Sequence, residues 1–209
     1  MPQEYVRMHF GNEFLAPIQQ FIHDGYNEML FSNLDLSPRD DVLIIGGYVG
    51  VSAEIIHRNY KPKIQIFEPI PEFSSILIEK FHSCGNIVLV EAAAASFDGF
   101  LELSVEGEKT GIAAQGPRIS VPSIKLSHYI QRNFQQIGLI EMNIEGAEYS
   151  VLPDLIETGQ ISKVKVLLIQ FHKYSFQDNL NRSLIHQDLS KTHKMIFSYE
   201  WVWERWELI

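Results

Sequence analysis

With 209 residues, 45% of them hydrophobic and 21% charged, the chain has the size and balance of a globular protein built on one substantial core, and is neither a disordered polymer nor a membrane span. Its longest apolar runs, such as Val166 to Ile169, fall far short of the roughly 20 residues that cross a bilayer, and Met1 to Arg7 lacks a secretory pattern, so no membrane partner and a cytoplasmic location are expected. A formal net charge of -9 argues against nucleic acid as a partner, and the single cysteine, Cys84, excludes an intramolecular disulfide, a zinc knuckle or a thiol redox pair.

Residues 1–38 read as an N-terminal helical extension and residues 39–209 as the core of a single domain. Pro17 to Leu30 places Ile18, Phe21, Ile22, Met29 and Leu30 at roughly helical spacing, with Pro17 suited to a first helical position. Val42 to Ile45, apolar throughout and ended by two glycines, predicts a strand buried on both faces. Helix and strand then alternate: a helix over Val49 to Tyr60, a strand over Lys63 to Phe67, a helix over Pro71 to Phe81 and a strand over Asn86 to Val90. From Phe100 to Val121 the helices stop, and Leu101 to Val105 suggests antiparallel strand material before a glycine-rich loop. Alternation resumes with a helix near Leu126 to Phe134, a strand at Ile137 to Met142, a helix around Ala147 to Leu155, a strand at Val164 to Phe171 and a helix near Asn179 to Leu189. Met195 to Ile209 predicts one or two antiparallel strands closing the sheet, with Trp201 and Trp203 sharing a core-facing side. The fold class is therefore α/β, a mainly parallel Rossmann-like sheet with helices on both faces and an antiparallel C-terminal edge.

In such sheets ligands bind beyond the carboxyl ends of the strands, so the residues that follow the apolar runs are the informative ones. Gly46-Gly47-Tyr48-Val49-Gly50 is a turn whose glycines permit tight backbone and close approach of a ligand, and Tyr48 either packs on the neighbouring helix or lines the pocket. Glu68 ends the next strand, where a carboxylate can accept hydrogen bonds from both hydroxyls of a ribose. Asn143 to Glu148 and His172 follow later strands, with Glu145 and Glu148 at a helix start whose dipole also favours acidic side chains. The dinucleotide fingerprint is absent, because its second and third glycines would fall on Tyr48 and Val51, or on Val49 and Ser52.

The series Asp41 to Gly50, Phe67-Glu68-Pro69-Ile70-Pro71-Glu72-Phe73, Asn143-Ile144-Glu145-Gly146-Ala147-Glu148 and Leu168-Ile169-Gln170-Phe171-His172 resembles the FkbM-type methyltransferases in order and spacing. The resemblance implies a class I methyltransferase fold, S-adenosylmethionine as cofactor, and O-methylation of a hydroxyl on a sugar or secondary metabolite. It implies that Gly46 and Gly50 flank the methionine part of the cofactor and that Glu68 holds its ribose; Gly47, Tyr48 and Asn143 are further candidates for the cofactor site. Four positions depart from the family pattern: Ile44 and Asn143 stand where it has Asp, Tyr48 where it has Asn, and Gln170 where it has Glu.

For the reaction, His172 is expected to be the base or to orient the acceptor, since an imidazole of ordinary pKa near 6.5 is mostly neutral at neutral pH, and Glu145 is expected to position the acceptor. Glu145, Glu148 and His172 suit a divalent ion by type, but nothing in their spacing requires one, and no metal is assigned. The acceptor is a small molecule or sugar, with the stretch from Gly107 to Pro122 and the N-terminal helix as the candidates for shaping its pocket. Two other readings follow from the same residues. Ile44, Asn143 and Gln170 suggest a non-catalytic cofactor-binding or regulatory module, and Glu68 alone would also serve a NAD-dependent oxidoreductase.

Overall fold

The computed structural model describes residues 15–25, 30–105 and 116–209. The chain enters through α1 (Leu15–His23) and then alternates: β1 (Asp41–Ile45), α2 (Val51–Tyr60), β2 (Lys63–Phe67), α3 (Pro71–Phe81) and β3 (Ile87–Val90). Three strands follow, β4 (Ala93–Ala95), β5 (Gly99–Ser104) and β6 (Arg118–Lys125), before α4 (Leu126–Asn133), β7 (Ile137–Met142), α5 (Glu148–Glu157), β8 (Val164–Ile169), α6 (Gln177–Leu189), β9 (His193–Tyr199) and β10 (Trp203–Leu208).

Seven strands form one sheet in the order β3-β2-β1-β7-β8-β10-β9. The first five are parallel, and β10 runs antiparallel to both of its neighbours. All six residues of β7 and four of the five in β1 are buried, which is why both strands read as unbroken apolar runs. The alternating strand and helix pattern thus folds as the expected Rossmann-like sheet with an antiparallel C-terminal edge.

Helices cover both faces. Phe21, Ala53, Ile56, Leu77 and Phe81 from α1, α2 and α3 pack with Val42, Ile44, Leu139 and Leu168 on one side. Leu126, Ile130, Val151, Leu155, Ile185 and Leu189 from α4, α5 and α6 pack with Leu43, Ile45, Ile140 and Leu167 on the other. Pro71 opens α3 at a position whose missing N–H has no helical partner in any case.

The strand material after β3 forms a second, three-stranded sheet in the order β4-β6-β5, with β5 antiparallel to β6 over its full length. It closes a small cluster of Ile70, Ala93, Leu103 and Val121. Residues 106–115, most of the proposed acceptor stretch, lie outside the described residues, as does Met29.

Two expectations are corrected. The N-terminal helix does not run from Pro17 to Leu30: α1 ends at His23, and Gly25 follows in the left-handed region at φ 89°, its N–H donating back to the Ile22 carbonyl. Trp201 does not share a strand face with Trp203. It sits in the β9–β10 turn at φ 61° and packs with Trp206 on the α4–α5–α6 side, while Trp203 packs on the opposite side.

Candidate functional site

From β1 the chain proceeds outward to β2 and β3, and from β7 it proceeds the other way to β8. The connections leaving β1 and β7 therefore diverge, α2 to one face and α5 to the other, and sheets of this kind hold their ligands in the crevice at such a reversal point, beyond the carboxyl ends. Gly46 and Asn143 stand at that point. A Cβ on Gly46 would overlap the Asn143 carbonyl oxygen, and Asn143 donates its backbone N–H to the Ile45 carbonyl at 2.9 Å.

The glycine turn is fixed from below. Gly46 (φ 95°) and Gly50 (φ 77°) use backbone that side chains resist, and Tyr48 adopts it too at φ 44°. Gly47 lies against Ile66 and Leu77, and Gly50 against Leu77 and Phe81, so packing crowds a side chain at both, and at Gly50 the left-handed turn disfavours one as well. Glu68 holds the assembly. Its Oε2 accepts the Tyr48 N–H at 2.8 Å and its Oε1 accepts the Ile70 N–H at 2.9 Å. The carboxylate is buried, and that burial raises its pKa, opposed by these backbone hydrogen bonds. The Tyr48 ring, 37% exposed, meets Phe73 of α3 edge-on at 4.7 Å between centroids, so it packs on the neighbouring helix.

Across the crevice Glu145, Glu148 and His172 converge. His172 Nε2 is 3.1 Å from Glu145 Oε1, and its Nδ1 is 2.9 Å from Glu148 Oε1. Glu148 has no exposed side-chain surface, and also accepts the His172 and Gly146 backbone N–H groups at 2.7 and 2.9 Å, tying the start of α5 to the end of β8. Glu145, at φ 48°, turns its carboxylate back toward this cluster and accepts the Tyr174 hydroxyl at 2.9 Å. Tyr174 stacks on the imidazole, and the Tyr149 hydroxyl donates to the His172 carbonyl.

This geometry bears on the role expected of His172. Although burial alone would lower it, the two carboxylates push the imidazole pKa up to about 10. That direction favours the protonated ring, in which both nitrogens donate to the flanking carboxylates. Among the described residues no group of three or more His, Cys, Asp or Glu is arranged to hold a metal ion, and no helix is long and apolar enough to cross a membrane.

Several neighbours escaped the sequence reading. Tyr174 and Tyr149 carry no local signal, since their partners come from other elements. Glu141 does carry one, as a lone charge inside the apolar run of β7. Ser52, in the first turn of α2, donates to Glu141 Oε1 at 3.2 Å. A shallow depression lined by His186, Ser190, His193 and Trp206 lies at the opposite end of the sheet, where His193 bonds the Val164 carbonyl at the start of β8.

Sheet order and a glycine turn at the reversal point define a Rossmann-like fold, and solved structures share it. A protein of Clostridium thermocellum assigned as an rRNA-methylase aligns with a TM-score of 0.55 at 8% identity, over 92% of this chain and 96% of its own. Fibrillarin of Aeropyrum pernix, solved with natively bound S-adenosyl-L-methionine, gives 0.51 at 8% identity over 88% and 73%. The 23S rRNA methyltransferase ErmE gives 0.50 at 12% over 88% and 67%. At these identities the likeness is one of fold. No curated protein matches the sequence. The model of the methyltransferase FkbM domain matches residues 45–199, and the chain belongs to that family, with S-adenosylmethionine as its cofactor.

Proposed function

We propose that the chain O-methylates a hydroxyl of a sugar or secondary metabolite in the crevice between β1 and β7. What supports this most is the meeting there of two unlike halves: a glycine turn clamped by Glu68, and an acidic cluster organised around the His172 ring.

The first half fits the cofactor. Each Glu68 oxygen uses one lone pair on a backbone N–H and keeps another for a ribose hydroxyl. Asn143 Oδ1 is buried without a hydrogen-bond partner, as an acceptor waiting for a donor would be. Gly46, Gly47, Tyr48 and Gly50 would border the methionine part. When bound, the cofactor supplies an electron-poor methyl carbon on a sulfonium, which leaves the protein to align the acceptor hydroxyl and take its proton.

Glu145 does that work in this reading. Its carboxylate is partly open to the crevice and receives the hydroxyl proton, while His172 and Tyr174 fix its two oxygens. His172 is then a positioning residue. An acidic opening in a chain of net charge -9 suits a hydroxyl donor better than a phosphate backbone.

The test is transfer of labelled methyl to a panel of sugars, hydroxylated metabolites and a short rRNA fragment at saturating cofactor. An O-methylated small molecule is expected, with Glu145→Gln lowering kcat roughly a hundredfold and leaving cofactor affinity unchanged. Methylation of the RNA alone overturns the substrate class. No turnover on any acceptor, with cofactor bound, favours the non-catalytic module that Ile44, Asn143 and Gln170 suggest.

A further inference from the structure

Glu141 is 2% exposed in the middle of the sheet, and its register partners are Ile44 on β1 and Leu168 on β8. Its Oε1 accepts the Ser52 hydroxyl at 3.2 Å, and its Oε2 has no partner. Among the described residues no charged side chain pairs with it. Burial pushes its pKa up to about 8, so it is mostly a neutral acid at pH 7. An unpaired carboxyl in an apolar layer costs stability, and a Leu like its neighbours would fill the same place without that cost.

Its location points to what it is for. Side chains paired in register on adjacent parallel strands point to the same face. Glu141 therefore stands beside Ile44, two residues before Gly46, on the face covered by α2. Ser52 is the second residue of α2, directly after the glycine turn, and is only partly buried. The pair thus reaches from the sheet interior up to the floor of the turn. Position 44 is where the FkbM pattern carries an acidic residue and this chain does not.

We propose that Glu141 supplies from β7 the carboxylate that β1 lacks at Ile44, and that with Ser52 it anchors the α-ammonium group of the cofactor's methionine part. The inference rests on the reading of the Gly46–Gly50 turn as the cofactor site. It adds a residue to that site, from a strand that a pattern centred on the glycine turn does not include. The anchor ionises as the ammonium arrives: the proton on the Glu141 carboxyl leaves to solvent, and the carboxylate pairs with the ligand's charge.

Two ligands separate the contributions by calorimetry. S-adenosylhomocysteine carries the ammonium, and methylthioadenosine keeps the adenosyl part without it. Glu141→Gln is expected to weaken the first roughly tenfold or more and to leave the second unchanged. Adding Ile44→Asp to that variant should recover most of the loss. In the parent protein, measured at pH 7 in buffers of different ionisation enthalpy, binding of S-adenosylhomocysteine should release close to one proton more than binding of methylthioadenosine. That measurement needs no variant. Equal proton release with both ligands, or equal effects of Glu141→Gln on both affinities, overturns the anchor while leaving the cofactor site standing. A parent that binds neither ligand overturns the cofactor site and the anchor together.

Discussion

His172 Nδ1 lies 2.9 Å from Oε1 of Glu148, a carboxylate with no exposed side-chain surface. The imidazolium is thereby favoured in the folded protein, with Glu145 on its other nitrogen raising the pKa further, to about 10. Because the folded pKa exceeds the unfolded value of about 6.5, the stability this cluster contributes is fully present below 6.5 and is lost as pH rises through about 10. Denaturation of the parent and of His172→Gln at pH 6 and pH 10.5 should show a gap that narrows sharply at the higher pH. In an NMR titration the ring should remain protonated past pH 8. A midpoint near 6.5 would return His172 to the role of base.

Glu68 clamps the glycine turn, and its proposed contact with the ribose gives a substitution there a second readout. Removing its carboxylate leaves the Tyr48 and Ile70 N–H groups without their acceptor, at a cost of roughly 1 to 3 kcal/mol in folding stability. On the proposed ribose assignment it would also remove two charge-assisted bonds, worth roughly 2 to 3 kcal/mol of cofactor binding. Glu68→Ala should therefore lose on both measurements, and Glu72→Ala, one turn into α3, on neither. Lost stability with unchanged affinity would make Glu68 a turn clamp alone.

The layout of the sheet is legible in the sequence because β1, β7 and β8 are buried on both faces and so have no polar alternation to blur them. The β9–β10 hairpin is legible for the opposite reason, its alternating pattern. The turn inside it is not: Trp201 continues the alternation on paper but takes a left-handed backbone that favours glycine, and so leaves the strand. Glu68, Glu145 and His172 are marked by strand-end position. Their electrostatics are not, because the His172 pKa depends on carboxylates 24 and 27 positions away that only the fold brings within 3.1 Å. The end of α1 is a different case, since Gly25 is an ordinary helix-stop signal within the helical spacing that runs on to Leu30.

Gly46→Ala should be severe. The new Cβ would overlap the Asn143 carbonyl, backbone on backbone, and φ 95° adds strain of its own. A loss of about 3 kcal/mol or more in stability is expected, with cofactor binding abolished. Gly85→Ala is the control, since nothing lies within 4 Å of its Cβ and its backbone needs no glycine; its stability should stay within about 0.5 kcal/mol of the parent. Equal effects at the two positions would mean that the β1 and β7 connections do not touch as described.

The antiparallel edge is held by charge as well as by burial. Glu204, 1% exposed on β10, receives Arg182 Nε at 2.7 Å, His186 Nε2 at 2.9 Å and Trp206 Nε1 at 3.0 Å, and is also bonded by Arg182 Nη2. Against the burial that would raise its pKa, these donors hold the carboxyl below its usual range. Its contribution to stability is therefore present above the unfolded carboxylate pKa and is lost as pH falls through the lower folded value. Removing one partner leaves the other charge buried and uncompensated, so Glu204→Ala should cost about 3 to 5 kcal/mol. Arg182 also lies over the Trp201 ring, 4.9 Å from its centroid, so the loss should loosen the hairpin turn first. The double variant Arg182→Met, Glu204→Leu should recover much of that loss, because no buried charge is left unpaired. Cofactor affinity should be the same in all of these proteins, as the network stands two strands away from β7. A double variant no more stable than Glu204→Ala would show that packing, and not the buried charge, sets the cost.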